Sequence, residues 1–284
     1  MLRSRLLPAF FAVVFALFGA TPASATSQGH GYLALGDSVA FGTSLCVPTD
    51  PTHCVGYPEH AARMLNVEDV NASCPGEASG GFISLTGADN VCRPYRAAFP
   101  LHVEYSTSQL DFATSFLQSN PRTRLVTINI GANDVFVLQK TCARPAAPPD
   151  CFAQGFPVLL QTLANNLGVI YGAIRGAGYS GLLVAVTYYV TNFADPVAVS
   201  IIGAINHAVD SVTRSFGGFV ASGFDAFQKA SASSGGDTFK AGLVIPGDIH
   251  PTTAGQTLLA QTVVDTILST CPAASAQGCL NRNP

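Results

Sequence analysis

The chain has 284 residues, of which 48% are hydrophobic and 11% are charged, and its formal net charge is -3 at pH 7. This length is sufficient for one large domain with a sizeable core. The sequence has no basic run or basic stripe, so its charge pattern argues against a nucleic-acid partner.

The first 25 residues have the pattern of a secretory signal peptide. Arg3 and Arg5 precede an apolar run at residues 6–20, and an Ala-Ser-Ala cleavage pattern ends at Ala25. The alternative is a membrane anchor, which the shortness of the run disfavours. We therefore expect cleavage after Ala25, a mature domain of residues 26–284, and a secreted, extracellular protein without a stable membrane anchor.

The remaining sequence alternates between strand and helix patterns. In chain order it predicts a strand at 32–35, a helix at 57–65, a strand at 67–71, a helix at 106–117 with Ser106 as N-cap, a strand at 125–130, a helix at 157–177, a strand at 181–188, and helices at 196–216 and 253–268. The segments 219–227 and 243–245 are ambiguous. This alternation implies an α/β fold with a parallel sheet and helices on both of its faces.

Residues suited to catalysis follow the predicted strands. In a parallel α/β sheet, ligands bind beyond the carboxyl ends of the strands. Ser38 follows the first strand, Gly76 the second and Asn133 the third, while His250 lies in a short loop before the last helix. We therefore expect these residues to meet at one edge of the sheet.

This set of residues suits acyl transfer. A serine hydroxyl becomes nucleophilic when a histidine accepts its proton, which assigns Ser38 as nucleophile and His250 as base. The backbone N–H groups of Ser38 and Gly76 and the side-chain amide of Asn133 are the candidate oxyanion donors. The sequence contains no G-x-S-x-G, which argues against the nucleophile elbow of α/β-hydrolases.

The same blocks resemble, in their order, the motifs of the SGNH (GDSL) hydrolase superfamily. Gly36-Asp37-Ser38 matches the first block, Gly76 the second, the G-x-N-D run with Asn133 the third, and His250 the last. The resemblance covers nearly the whole mature chain and extends to secreted, disulfide-bearing actinomycete lipases and esterases. It implies a three-layer α/β/α, flavodoxin-like fold with a central parallel sheet of about five strands.

The group that orients His250 departs from the pattern of that superfamily. The usual acid lies three residues before the histidine, where this chain has Gly247. Three interpretations remain open: Asp248 reaches the imidazole, a backbone carbonyl near Gly247 replaces the acid, or the distant Asp195 serves.

The eight cysteines predict disulfides in an exported protein. Their spacing favours bridges between neighbours in the chain, although sequence alone permits 105 pairings. A metal site is the competing interpretation, but the chain has no C-x-x-C and no H-E-x-x-H. We expect neither a metal nor an organic cofactor. The expected pairs are Cys46–Cys54, Cys74–Cys92, Cys142–Cys151 and Cys271–Cys279.

The sequence therefore predicts a carboxylic ester hydrolase that acts as a monomer on a small-molecule or lipid ester. Within enzymes the alternatives are a phospholipase, a carbohydrate acetylesterase or an acyltransferase, and outside them a non-catalytic binding module on the same fold. Several aromatic side chains either line an acyl site or simply pack in the core, namely Phe82, Phe99, Tyr188, Tyr189 and Phe193.

Overall fold

A computed structural model describes residues 31–43, 46–271, 278 and 280 of the chain. The predicted signal peptide lies outside these residues, and so does Cys279, one partner of the expected Cys271–Cys279 bridge. The strands are β1 (Tyr32–Gly36), β2 (Asp69–Asn71), β3 (Leu125–Asn129), β4 (Leu182–Val186) and β5 (Phe219–Ala221). The helices are α1 (Ser38–Phe41), α2 (Tyr57–Leu65), α3 (Ser79–Ile83), α4 (Cys92–Ala98), α5 (Gln109–Ser119), α6 (Ala132–Cys142), α7 (Cys151–Gly176), α8 (Pro196–Ser215), α9 (Gly223–Ser231) and α10 (Thr253–Thr270).

The five strands form one parallel sheet in the order β2-β1-β3-β4-β5. β1 and β3 are buried along their whole length, as expected for central strands that helices cover on both faces. In the register, Gly36 at the end of β1 pairs with Asn129 at the end of β3. The loops that follow these two strands therefore start side by side.

Helices pack against both faces of the sheet, which confirms the predicted α/β architecture. α2, α9 and α10 form one layer, and α5, α7 and α8 belong to the other. The core between the layers is built from apolar side chains of the strands and of the buried helix stripes, such as Leu163, Leu167 and Ile170 on α7. Burial of this apolar surface supplies the main driving force for folding.

Several segments differ from the sequence prediction, which also does not include the helices α1, α3, α4 and α6. α5 begins at Gln109 instead of near residue 106, because Ser108 rather than Ser106 caps it and accepts a hydrogen bond from the Asp111 N–H. α7 begins at Cys151, so Pro157 lies inside the helix instead of at its start. The ambiguous segment 219–227 contains the end strand β5 and the first part of α9.

Among the described residues, the structure shows the expected disulfides Cys46–Cys54, Cys74–Cys92 and Cys142–Cys151, each between cysteines that are near neighbours in the chain. The last of these closes the loop between α6 and α7 and thereby anchors the start of α7.

None of the helices in the described part of the chain is long and apolar enough to cross a membrane.

Candidate active site

The turn between β1 and α1 carries Ser38. Gly36 has a φ of +139°, and a Cβ at this position would lie 2.3 Å from the Asn129 carbonyl oxygen, so only glycine fits there. The Gln109 side chain binds both backbone polar groups of Gly36. Its Oε1 accepts a hydrogen bond from the Gly36 N–H at 2.6 Å, and its Nε2 donates to the Gly36 carbonyl at 3.0 Å. The backbone that presents Ser38 is therefore fixed on both sides.

Ser38 is the first residue of α1, and Asp37 is the N-cap. The Asp37 Oδ1 accepts a hydrogen bond from the Val39 N–H at 3.0 Å. Ser38 is half-buried, whereas Asp37 is almost completely buried. The serine hydroxyl thus remains accessible, while the aspartate beside it lies in the protein interior.

The loop that carries His250 is tied to α1 through α10. Gln256, in the first turn of α10, donates from Nε2 to the Val39 carbonyl at 3.0 Å and accepts from the Tyr57 N–H at 2.8 Å. Because Gln256 is fully buried, these hydrogen bonds are not exchanged with water. The start of α10, and with it the preceding histidine loop, is therefore held against the serine helix.

The histidine loop is a tight turn. The Ile245 N–H donates to the His250 carbonyl at 3.0 Å, and the Asp248 N–H donates to the Ile245 carbonyl at 3.0 Å. Gly247 has a φ of +80° within this turn. The turn brings Asp248 Oδ1 to 2.8 Å from His250 Nδ1.

The charge state of Asp248 decides which imidazole nitrogen carries the proton. Partial burial raises the pKa of Asp248, but the hydrogen bond from the Ile249 N–H and the charge of His250 outweigh it, so the pKa is lowered overall. An ionised carboxylate can only accept, so the proton of a neutral His250 lies on Nδ1. His250 Nε2 is then free to accept a proton.

Asp195 and the Gly247 carbonyl are the other two groups that the sequence leaves open for orienting His250. Asp195 caps α8, where its Oδ1 accepts hydrogen bonds from the N–H groups of Val197 and Ala198. Among the described residues, no hydrogen bond joins the Gly247 carbonyl to the His250 side chain. Of the three groups that the sequence leaves open, Asp248 alone contacts the imidazole.

Ser38 and His250 do not form a direct hydrogen bond within the part of the chain that the structure describes. Catalytic hydrogen bonds are often long in ligand-free enzymes and tighten when substrate binds. Ile249, which precedes His250, lines the same cleft as Ser38. The loop that carries His250 therefore borders the cleft beside Ser38.

Gly76 adopts a left-handed conformation, with a φ of +82°. A Cβ at this position would lie 2.1 Å from Val91 Cγ2, so the site requires glycine on both counts. The Gly76 carbonyl accepts a hydrogen bond from the Val91 N–H at 3.2 Å. The N–H groups of Gly76 and Ser38 have no protein acceptor among the described residues.

Asn133 lies in the first turn of α6 with its amide held at both ends. Its Oδ1 accepts a hydrogen bond from Asn90 Nδ2 at 2.8 Å, and its Nδ2 donates to Asp37 Oδ2 at 3.0 Å. These two partners determine which end of the amide is the nitrogen. One of the two N–H groups of Nδ2 remains beyond the bond to Asp37, and Asn133 borders the cleft.

One short segment connects Gly76 to Asn133. Asn90 holds the Asn133 amide, and the next residue, Val91, holds the Gly76 carbonyl. Cys92 follows and forms the disulfide with Cys74. Cys74, Glu77 and Cys92 also form the one group in the described chain whose spacing could hold a metal ion, but the disulfide consumes both thiols.

Asp37 lies at the centre of the buried polar contacts. Its Oδ2 accepts hydrogen bonds from Asn133 Nδ2 and, at 2.6 Å, from the Tyr188 hydroxyl. Burial raises the pKa of Asp37 to about 6, although these hydrogen bonds and the nearby charge of His250 lower it in part. The sequence identifies Asp37 only as part of a motif, and it does not reveal these partners.

An apolar cleft of about 180 Å³ opens beside Ser38 and Asn133. Its volume is below the roughly 300–1,000 Å³ typical of drug-sized ligand pockets. Among the aromatic residues of the sequence analysis, Tyr188 and Tyr189 line the cleft, whereas Phe82 lies in the core. The apolar walls include Phe136 of α6, Ala198 and Ile202 of α8, Val190 and Ile249.

Gln109 and Gln256 hold the backbone on either side of Ser38, a role that the sequence analysis does not identify. Both are fully buried polar side chains that bind backbone groups next to Ser38. A glutamine inside an amphipathic helix pattern gives no sequence signal of this role. The only indication would have been their place on the otherwise apolar faces of α5 and α10.

The sequence profile of the GDSL-like lipase/acylhydrolase family matches residues 34–258. Among solved structures, the chain is similar to phospholipase A1 from Streptomyces albidoflavus, with a TM-score of 0.52 and 19% identity over 84% of this chain and 99% of that one. It is also similar to an extracellular lipase from Streptomyces rimosus, with a TM-score of 0.51 and 18% identity over the same shares. An acetylxylan esterase from Geobacillus stearothermophilus gives a TM-score of 0.54 and 15% identity over 84% of this chain and 94% of that one.

A comparison with curated protein sequences gave no match. The structural similarities, all below 20% identity, show the fold. The profile match extends over most of the sequence, including Ser38 and His250. The chain belongs to the GDSL-like lipase/acylhydrolase family.

Proposed function

We propose that this chain is a secreted serine hydrolase that cleaves carboxylic esters through an acyl-enzyme on Ser38. The observation that carries the proposal is that Ser38 and Asn133 border one apolar cleft, with an accessible hydroxyl and an oriented amide. An apolar cleft accepts the acyl chain, and the polar groups at its edge act on the ester carbonyl.

Acylation begins when Ser38 Oγ attacks the carbonyl carbon and its proton passes to His250 Nε2. The carbonyl oxygen becomes an oxyanion, which the N–H groups of Ser38 and Gly76 and the free Nδ2 proton of Asn133 stabilise. Asp248 stabilises the imidazolium that forms. His250 then donates its proton to the leaving alkoxide, the carbon–oxygen bond of the ester breaks, and the alcohol departs.

Deacylation repeats these steps with water. His250 accepts a proton from the water molecule, the hydroxide attacks the acyl carbonyl, and the same donors hold the second oxyanion. The bond to Ser38 Oγ breaks, His250 returns the proton to the serine, and the carboxylic acid is released. No additional reactant is required.

The small cleft favours short to medium acyl groups over a complete lipid. Its volume of about 180 Å³ lies below that of pockets for drug-sized ligands. This observation also supports a second candidate, a carbohydrate acetylesterase, in which only an acetyl group enters the cleft. The structural neighbours include both an acetylxylan esterase and enzymes that act on lipids.

The test is hydrolysis of p-nitrophenyl esters, from acetyl to palmitoyl, by the purified mature protein and by Ser38→Ala. We expect the wild type to be active with a short- or medium-chain optimum and the variant to lose at least about a thousandfold in kcat. An acetyl-only profile would favour the acetylesterase. An inactive wild type would favour a non-catalytic binding module, whereas an equally active variant would remove Ser38 as the nucleophile for these esters.

Secretion is tested separately, because it does not depend on the chemistry. Expression of the full chain in a secreting host should give a protein in the medium whose first residue is Thr26. Retention of Arg3 and Arg5 in the mature protein would contradict cleavage after Ala25.

A further inference from the structure

Tyr188 is connected to the oxyanion-hole amide through one carboxylate. The Tyr188 hydroxyl donates to Asp37 Oδ2 at 2.6 Å, and Asn133 Nδ2 donates to the same oxygen at 3.0 Å. All three side chains are at least 95% buried. Two donors that share one acceptor oxygen in the protein interior constrain each other's positions.

The backbone of Tyr188 is itself clamped. Asn206 on α8 accepts a hydrogen bond from the Tyr188 N–H at 2.9 Å and donates to the Tyr188 carbonyl at 2.8 Å. Asn206 lies on the helix whose Ala198 and Ile202 form a wall of the cleft. A continuous set of buried hydrogen bonds therefore runs from this helix through Tyr188 and Asp37 to Asn133.

The direction of each hydrogen bond is defined. Burial raises the pKa of Tyr188 well above its ordinary value, so the phenol keeps its proton and donates. Asp37 must then accept, and it accepts best when it is ionised. Loss of the Tyr188 hydroxyl would leave the Asp37 carboxylate buried with one donor fewer, which favours its protonated form.

We infer that Tyr188 is a positioning residue, which keeps Asp37 ionised and thereby aims the free Nδ2 proton of Asn133 at the oxyanion. This inference rests on the proposed ester hydrolysis and assigns to that reaction a residue outside the serine, histidine and oxyanion donors. The Tyr188 side chain also lines the cleft, but its hydroxyl is bound to Asp37 Oδ2. We therefore assign its effect on the oxyanion to the contacts that run through Asp37 to Asn133.

The test compares Tyr188→Phe with Tyr179→Phe. Tyr179 is a matched control, because it is also buried and its hydroxyl also donates at 2.6 Å, to the Leu182 carbonyl at the start of β4. We expect Tyr188→Phe to lower kcat roughly ten- to a hundredfold with KM within about twofold, since a small misplacement of a donor is felt only in the transition state. Tyr179→Phe should keep kcat within about twofold of the wild type.

The pH profile separates positioning from a structural role. The groups that interact electrostatically with Asp37 are His250, Tyr57, Tyr188 and Tyr189. Of these, the three tyrosines stay neutral in the acidic range because burial raises their pKa values. Removing the donor raises the pKa of Asp37, so the acidic limb of kcat should move to higher pH by at least about half a unit in Tyr188→Phe. It should not move in Tyr179→Phe.

Asp37→Asn provides a second arm, and its single variant remains informative if Tyr188→Phe does not fold. We expect Asp37→Asn to lower kcat at least about tenfold, and we expect Tyr188→Phe to add no further loss in that background, because both changes break one set of contacts. Equal kcat and equal acidic limbs in the two tyrosine variants, an additive double variant, or an unimpaired Asp37→Asn would each overturn the inference. Wild-type activity that depends on Ser38 would still support the proposed function in all of these cases.

Discussion

His250 Nδ1 lies 2.8 Å from Asp248 Oδ1, although only one residue separates the two in the chain. The turn at residues 245–248, in which Gly247 adopts a left-handed conformation directly before Asp248, places the carboxylate beside the imidazole. Asp248 is therefore the residue that we expect to orient the imidazole in place of the acid that is usual three residues before the histidine.

Asp248→Asn should lower kcat at least about tenfold, because an amide cannot stabilise the imidazolium as a carboxylate does. The loss should be smaller than in enzymes whose triad acid is buried, since the Asp248 side chain is 43% exposed and water screens its charge. The measurement is kcat on a p-nitrophenyl ester. Asp195→Asn is the control and should stay near wild type, and a loss below about tenfold in Asp248→Asn would assign the role to a backbone carbonyl near Gly247.

Gly76→Ala should reduce both stability and activity. The new methyl group would meet Val91 Cγ2, and the positive φ of residue 76 disfavours any side chain. The double variant Gly76→Ala/Val91→Ala removes the closest clash, with Val91 Cγ2, but keeps the positive φ, so it should recover part of the thermal stability while kcat stays reduced. Full recovery of kcat in the double variant would contradict a catalytic role for the Gly76 N–H.

Ala198→Phe should shorten the range of accepted acyl chains. Ala198 forms part of the cleft wall on α8, so a phenyl ring there reduces the space for the acyl group. We expect the rate on an octanoyl ester to fall at least about tenfold, while the acetyl ester stays within about threefold. Ser200→Phe, at an exposed position of the same helix, should change neither rate, and equal losses on both esters in Ala198→Phe would exclude the cleft as the acyl site.

The stability of the protein should fall as the pH rises from about 4.5 to about 8. Burial raises the pKa of Glu77 from 4.5 to about 8, so in this window the unfolded state releases a proton that the folded state keeps. Above pH 8 both states are ionised and this effect levels off. The measurement is the free energy of unfolding against pH by denaturant titration.

Glu77→Gln should make this decline smaller, because the amide does not titrate. The remaining decline comes from the other carboxyl groups whose pKa burial raises, namely Glu59, to about 8, Asp37, to about 6, and Asp134. Glu104→Gln, which changes an exposed carboxyl group, should keep the slope of the wild type. An identical slope in Glu77→Gln and the wild type would mean that Glu77 is ionised in the folded protein.

Four of the five strands and the helices α2, α5, α7, α8 and α10 could be predicted from the sequence because their signals are local, whereas the sequence analysis does not include α1, α3, α4 and α6. The apolar runs of β1 and β3 and the periodic pattern of α7 and α8 each occur within one segment. The start of α7 was predicted too late, because proline normally stands at a helix beginning and Pro157 lies inside this one.

The supporting contacts of the site could not be predicted, because they join distant segments. The hydrogen bond of Tyr188 to Asp37 spans 151 residues, and that of Gln256 to the Val39 carbonyl spans 217. Neither tyrosine nor glutamine signals such a partner in a single sequence. The Asp248–His250 contact is one of three alternatives at the level of the sequence, because it depends on the shape of one short turn.

The most direct test of the account is the identification of the nucleophile by covalent trapping. The mature wild type is treated with a fluorophosphonate ester, digested and analysed by peptide mass spectrometry, beside Ser38→Ala and His250→Ala. We expect one phosphonyl adduct on the peptide that contains Ser38, much slower labelling in His250→Ala, and none in Ser38→Ala. An adduct on another residue, or hydrolysis of esters by a wild type that is not labelled, would contradict the central claim that Ser38 is the nucleophile.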